Sequence, residues 1–152
     1  MENAKKQLRE GSLLVLFFAA LSLVRMIFDA LTIYFTDAKN VPVEGVTQDI
    51  VTISSIAFLV VGIICLIPQV FVGLRGLKIA KEPAATKGHI VWARILMIIS
   101  IVALVSIIPT LFEPNADLVN GIFGAVDCIL DVVVFGLFIK YANAVYTAFT
   151  KQ

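Results

Sequence analysis

The stretch LSLVRMIFDALTIYF, residues 21–35, decides how the rest of the chain is read. It is apolar enough to dissolve in a lipid bilayer and lacks the period-two alternation of a half-buried strand, so it reads as a helix surrounded by apolar material. It nevertheless holds Arg25 and, one helical turn later, Asp29. A charge at the middle of a membrane helix costs roughly 2.5–3.5 kcal/mol on insertion scales. The fold must compensate for that pair.

Read toward the N terminus, the run begins at Ser12 behind the basic leader MENAKKQLREGS. From Ser12 to Phe35 it covers about 24 residues, longer than a signal-peptide core, and no A-x-A cleavage site follows, so a retained helix is expected. Read toward the C terminus, three more apolar runs appear. A hydrocarbon core of roughly 30 Å needs about 20 helical residues. The four stretches near 12–36, 50–76, 88–111 and 117–146 all meet that length. Between them lie TDAKNVPVEGVTQD, LKIAKEPAATKG and FEPNAD, with the Pro, Gly, Asn and Asp that stop helices and turn chains. Short connections imply antiparallel neighbours. The expected fold is an all-α integral membrane protein, a four-transmembrane-helix antiparallel bundle forming a single membrane domain over residues 1–152.

Composition agrees. The 152 residues are 60% hydrophobic and 15% charged, far from the soluble average of roughly half apolar and a quarter charged. The net charge of +1, without a basic stripe and interleaved aromatics, excludes nucleic acid as an expected partner. Cys65 and Cys128 fall inside apolar runs and form no C-x-x-C, so neither a zinc site nor thiol-disulfide chemistry is indicated.

Lys and Arg set the expected orientation, since they are retained on the cytoplasmic side. Lys5, Lys6 and Arg9 precede the first helix, Arg75, Lys78, Lys81 and Lys87 surround the second connection, and Lys140 and Lys151 belong to the C-terminal end. The first and third connections hold Lys39 against Asp37, Glu44, Asp49, Glu113 and Asp117. Both termini are therefore expected to be cytoplasmic. Trp92, Tyr34 and Tyr141 fall near helix ends, as interfacial aromatics do.

The fourth helix answers the first. In NGIFGAVDCILDVVVFG, Asn120, Gly124, Asp127 and Asp131 recur at intervals of four, three and four, which places them on one face. Ser22, Arg25, Asp29, Thr32 and Thr36 form a similar stripe on the first helix. Counting about 1.5 Å per residue from the outer boundary, Asp29 lies roughly 9 Å deep, Asp127 roughly 13 Å, Arg25 roughly 15 Å and Asp131 roughly 20 Å. An intramembrane charge cluster of Arg25, Asp29, Asp127 and Asp131 is thus predicted, with one Arg facing three Asp. A surplus carboxyl in low dielectric takes up a proton, a cation or water rather than staying bare.

Secondary features complete the reading. Pro68 removes the hydrogen bond that would reach the Ile64 carbonyl, so a kink is expected, with Pro68, Gln69 and Asn120 as candidates to line a cavity or hinge. Gly62, Cys65, Gln69 and Gly76 fall near one face of the second helix. Gly62, Gly121, Gly124 and Ala125 are small enough for close helix packing, and Gly121 with Ala125 has small-xxx-small spacing. The basic loop Arg75, Lys78, Lys81 and Lys87 suits anionic headgroups as well as topology. His89, the only histidine, stands at a helix entrance beside Trp92 without ligand spacing and reads as an interfacial residue.

No H-E-x-x-H, G-x-S-x-G or P-loop is present, so neither an enzyme nor a cofactor or metal is expected. The first functional expectation is an accessory, regulatory or interaction protein acting through helix association, as a homo-oligomer or within a larger membrane complex. The alternative is a small proton- or cation-coupled transporter or channel using the Arg/Asp cluster. The lean loops are compatible with a bacterial plasma membrane.

Overall fold

The computed structural model of the chain contains four α-helices: α1 (Glu2–Asn40), α2 (Gln48–Lys81), α3 (Gly88–Thr110) and α4 (Leu118–Thr150). It describes residues 2–40, 48–112 and 118–151, and within the helices the side chains of 33, 34, 36–40, 48–51, 54, 58, 110, 119 and 120 lie outside the described residues. The outer aromatic Tyr34, the candidate Asn120 and the charged residues expected in the first and third connections therefore fall outside as well.

All four helices are long and apolar enough to cross a membrane. They span from about 35 Å for α3 to about 58 Å for α1 at 1.5 Å per residue, against a hydrocarbon core of about 30 Å. Three of them run past the apolar stretches that announce them. At the start of α1, ENAKKQLRE is rich in good helix formers and places Glu2 in the first turn, where a carboxylate complements the positive end of the helix. At the end of α2, Lys78 and Lys81 sit in the last turn and complement the negative end.

Helix ends follow local chemistry. The last turn of α2 closes with Glu82 N–H donating to the Lys78 carbonyl at 2.9 Å, and Pro83 then disfavours helical geometry at the residue before it. Lys87 starts α3 through its backbone carbonyl, which accepts from Ile90 N–H at 2.9 Å and Val91 N–H at 3.0 Å. At the other end of α3 the bonds tighten to i,i+3, from Leu111 N–H to the Ile108 carbonyl and from Phe112 N–H to the Pro109 carbonyl.

The chain divides into two compact units, Met1–Leu16 with Pro68–Gln152, and Phe17–Ile67. In the larger unit, α3 and α4 pack along one another. Their partners run in opposite directions: Leu111 and Ile107 approach Gly121 and Gly124, Ser100 reaches Asp131, His89 meets Phe138, and Lys87 covers Tyr146. The pair is antiparallel. The start of α1 and the end of α2 complete this unit's core, with Leu8, Ser12, Val15, Val72 and Ile79 buried, as are Ile90, Ala93, Phe135, Phe138, Ala142 and Val145. A Cβ on Gly76 would meet the Ser12 hydroxyl and the Phe138 ring, so glycine is what lets α1, α2 and α4 approach there.

The smaller unit joins the rest of α1 to the first part of α2. Gly62 faces the Met26 side chain, and Ala19, Ala30 and Ser55 are buried. An apolar groove of about 230 Å³ runs between Ile27, Ala30, Leu31, Thr52, Ser55, Ile56 and Leu59.

The distribution of side chains is inverted relative to a water-soluble domain. Small residues such as Ala93, Ser100 and Ala142 are buried, whereas Phe28, Ile64, Val105 and Phe123 are exposed. Only 17–22% of the most apolar window of each helix is buried. Apolar surface on that scale belongs in lipid or against another protein.

Candidate functional site

In α1, Arg25 and Asp29 form an i,i+4 ion pair, with Nε and Oδ2 3.6 Å apart. Their side chains are 40% and 49% exposed. Leu21 and Phe28, about a turn before and after Arg25, are exposed beside them. Thr32, one turn on, is satisfied locally because its hydroxyl donates to the Phe28 carbonyl at 2.9 Å. The pair is thus about half exposed, inside a stretch long and apolar enough to cross a membrane.

In α4, the two acids have different surroundings. Asp127 is exposed near Phe123, Val126 and Leu130, whereas Asp131 is half-buried and hydrogen-bonded to the Ser100 side chain of α3. Ser100 is itself buried, and its hydroxyl also lies 3.1 Å from the Leu96 carbonyl. One hydroxyl proton serves one acceptor at a time. With Asp131 ionised, Ser100 donates to the carboxylate; with Asp131 protonated, the acid donates to Ser100 and frees the serine proton for Leu96. Ser100 can thus partner Asp131 in either state. Arg25 and Asp29 belong to the smaller unit, and Asp127 and Asp131 to the larger.

Ser100 was not among the residues singled out in the sequence, although a signal existed. On α3, His89, Ala93 and Ser100 recur at intervals of four and seven along one face of an Ile-, Val- and Leu-rich run, and all three are buried, whereas Arg94 and Ser106 on other faces are exposed. In a helix that is apolar all round, small and polar residues mark the protein-facing side.

On α2, Pro68 lies inside a helix that continues from Gln48 to Lys81, and the division between the two units falls between Ile67 and Pro68. Gln69 is buried, and its Nε2 has no partner among the described residues. Gly76 is buried with Gln69, whereas Cys65, one turn before Gln69, is exposed. Gly121 approaches Leu111, Gly124 lies 3.4 Å from Ile107 Cδ1 at its Cβ position, and Ala125 is half-buried. The small face of α4 is occupied by α3 of the same chain.

His89 also departs from expectation. It is 2% exposed, packs edge-on against Phe138 with ring centroids 6.0 Å apart, and lies within electrostatic reach of Arg75. Neither ring nitrogen has a partner among the described residues. Trp92, three residues on, is 44% exposed. His89 instead continues the buried line through Ala93 to Ser100, so it packs inside the protein rather than facing outward as an interfacial residue would. Among the described residues, no group of three or more His, Cys, Asp or Glu side chains is placed to hold a metal ion.

The basic loop is not one patch. Arg75 is half-buried, Lys78 is exposed, Lys87 Nζ stands 4.5 Å over the Tyr146 ring, and Lys81 faces Lys5, Lys6 and Arg9 of α1 across a cavity.

No protein-family model, curated protein or solved structure matches this chain. Its function must therefore be argued from these side chains. They offer a half-exposed ion pair on α1, an acid with a hydroxyl partner between α3 and α4, and a basic cavity at the end of α2.

Proposed function

We propose that this protein acts through helix association in a membrane, as an accessory, regulatory or interaction subunit of a larger assembly or of a homo-oligomer. The observation that supports this reading is the half-exposed Arg25–Asp29 pair. Polar side chains at membrane depth are costly against acyl chains and favour packing against other polar helix faces. A partner carrying hydroxyl, amide or complementary charged side chains would add contacts to the exposed part of the pair. The proposed location is a cell membrane, bacterial plasma membrane included, with both termini cytoplasmic, as the distribution of Lys and Arg suggests.

Copurification from native membranes, with crosslinking of the reconstituted protein at dilute protein-to-lipid ratios, tests the proposal. Arg25→Leu and Asp29→Leu are expected to fold yet lose association. A strictly monomeric chain that captures no partner would sink it.

A second reading, a small proton- or cation-coupled transporter or channel, is favoured by the Asp131–Ser100 contact, which tolerates either protonation state. It would use Arg25, Asp29, Asp127 and Asp131 as one intramembrane cluster. Proteoliposome flux with and without a proton gradient separates the two readings. Flux from purified protein that Asp131→Asn abolishes selects transport.

A further inference from the structure

The cavity beside Lys81 gathers charge that the sequence keeps far apart. About 310 Å³ in volume, it is lined by Glu2, Lys5, Lys6, Arg9, Ala80 and Lys81. Four cations therefore meet one carboxylate. Three of the cations come from the first turns of α1, and the fourth comes from the last turn of α2, more than seventy residues later. The packing of the larger unit, in which Leu8 and Ser12 are buried with Val72, Ile79 and Ala80, brings the two helix ends together.

Like charges repel one another, and such a convergence is relieved by an anion. The positive end of the α1 dipole adds to the same field. Position narrows the class of anion. Arg9 lies one turn before Leu13, where the exposed apolar surface of α1 begins, so Lys5 to Arg9 occupy the one or two turns beyond the hydrocarbon. That is the layer in which phospholipid phosphates lie.

The geometry points to a binding site for a phosphate group, delivered by the headgroup of an anionic phospholipid at the end of α1 and α2. Lys5, Lys6, Arg9 and Lys81 hold the phosphate oxygens, and Glu2 weakens the site. The inference rests on the membrane reading of the four helices but not on how the protein associates. It assigns Lys81 to a different role from Lys87, which is engaged with Tyr146.

Native mass spectrometry of the full chain in a neutral detergent tests the site, with phosphatidylglycerol or phosphatidylcholine added in separate arms. One phosphatidylglycerol is expected to be retained in preference to phosphatidylcholine. A cation near an anionic lipid contributes about fivefold in affinity, so Lys6→Gln with Arg9→Gln and Lys81→Gln should reduce that preference by at least about tenfold. Lys78→Gln with Lys140→Gln, which removes charge outside the cavity, should leave it unchanged. Glu2→Gln should strengthen it, a gain that misfolding cannot produce. Displacement of the lipid by inorganic phosphate in a third arm would support the same phosphate chemistry with a soluble source. Equal retention of the two lipids, or a preference indifferent to the cavity variants, would overturn the proposal.

Discussion

At the scale of the residue, the interior of the larger unit holds polar side chains of two kinds. Ser100 and Asp131 are partners across α3 and α4. A double-mutant cycle of Ser100→Ala and Asp131→Asn, followed by unfolding in mixed micelles, should return a coupling of about 0.6–1.7 kcal/mol, the range of interhelical hydrogen bonds in membranes. Strict additivity would mean that the two groups act separately. His89 is the second kind, because neither nitrogen is paired. An unsatisfied buried polar group costs about 1–3 kcal/mol, whereas the ring contact with Phe138 is worth about 0.5–1.5 kcal/mol. His89→Leu should therefore stabilise the fold by about 1 kcal/mol in thermal unfolding, and a loss of stability would show that a nitrogen carries a bond. Neither residue was legible in the way the acids of α4 were. Asp127 and Asp131 announce themselves as charges in an apolar run. A serine is inexpensive in a membrane helix, and a histidine at a helix entrance has an ordinary interfacial explanation. Only the common spacing of His89, Ala93 and Ser100 reveals the buried line.

At the scale of the element, helix existence was legible and helix extent was not. Twenty consecutive apolar residues announce a span because unpaired backbone is intolerable in hydrocarbon. Nothing in that argument requires a helix to stop at the hydrocarbon edge, and the ladder of α1 starts at Glu2 rather than near residue 12, while α2 runs on to Lys81. Those extra turns form the basic cavity, which the apolar count alone could not foresee. Glycines also stand where helices touch. A Cβ at Gly76 would lie 2.5 Å from Phe138 Cε2 and press on Ser12, whereas a Cβ at Gly136 meets nothing within 4 Å. Gly76→Ala should thus destabilise by about 1–3 kcal/mol through overpacking. Gly136→Ala should be neutral or stabilising by up to about 1 kcal/mol, because alanine costs less entropy in a helix. Comparing the two variants in one denaturant series checks the packing directly, and equal effects would contradict it.

At the scale of the whole molecule, the question is which ends of the helices share a side of the membrane. All of the 12 Lys and Arg residues except Arg25 and Lys39 belong to the N-terminal segment, to the α2–α3 connection and its flanks, or to the C-terminal end of α4. Chains retain such residues on the cytoplasmic side, and this rule acts most strongly in short connections like Glu82–Lys87. Four crossings would place Glu2, Thr86 and Thr150 together, with the α3–α4 connection opposite. Single cysteines at Glu2, Thr86, Thr150 and Asn115, in a background with Cys65→Ser and Cys128→Ser, make this measurable with a membrane-impermeant maleimide. In inside-out vesicles the first three should react and the fourth should not; in right-side-out cells lacking an outer barrier, the pattern should reverse. Labelling of Thr86→Cys and Thr150→Cys from opposite sides would mean that α3 and α4 do not both cross. The antiparallel partners from Leu111–Gly121 to Lys87–Tyr146 would then have to form in a chain that does not span the bilayer four times.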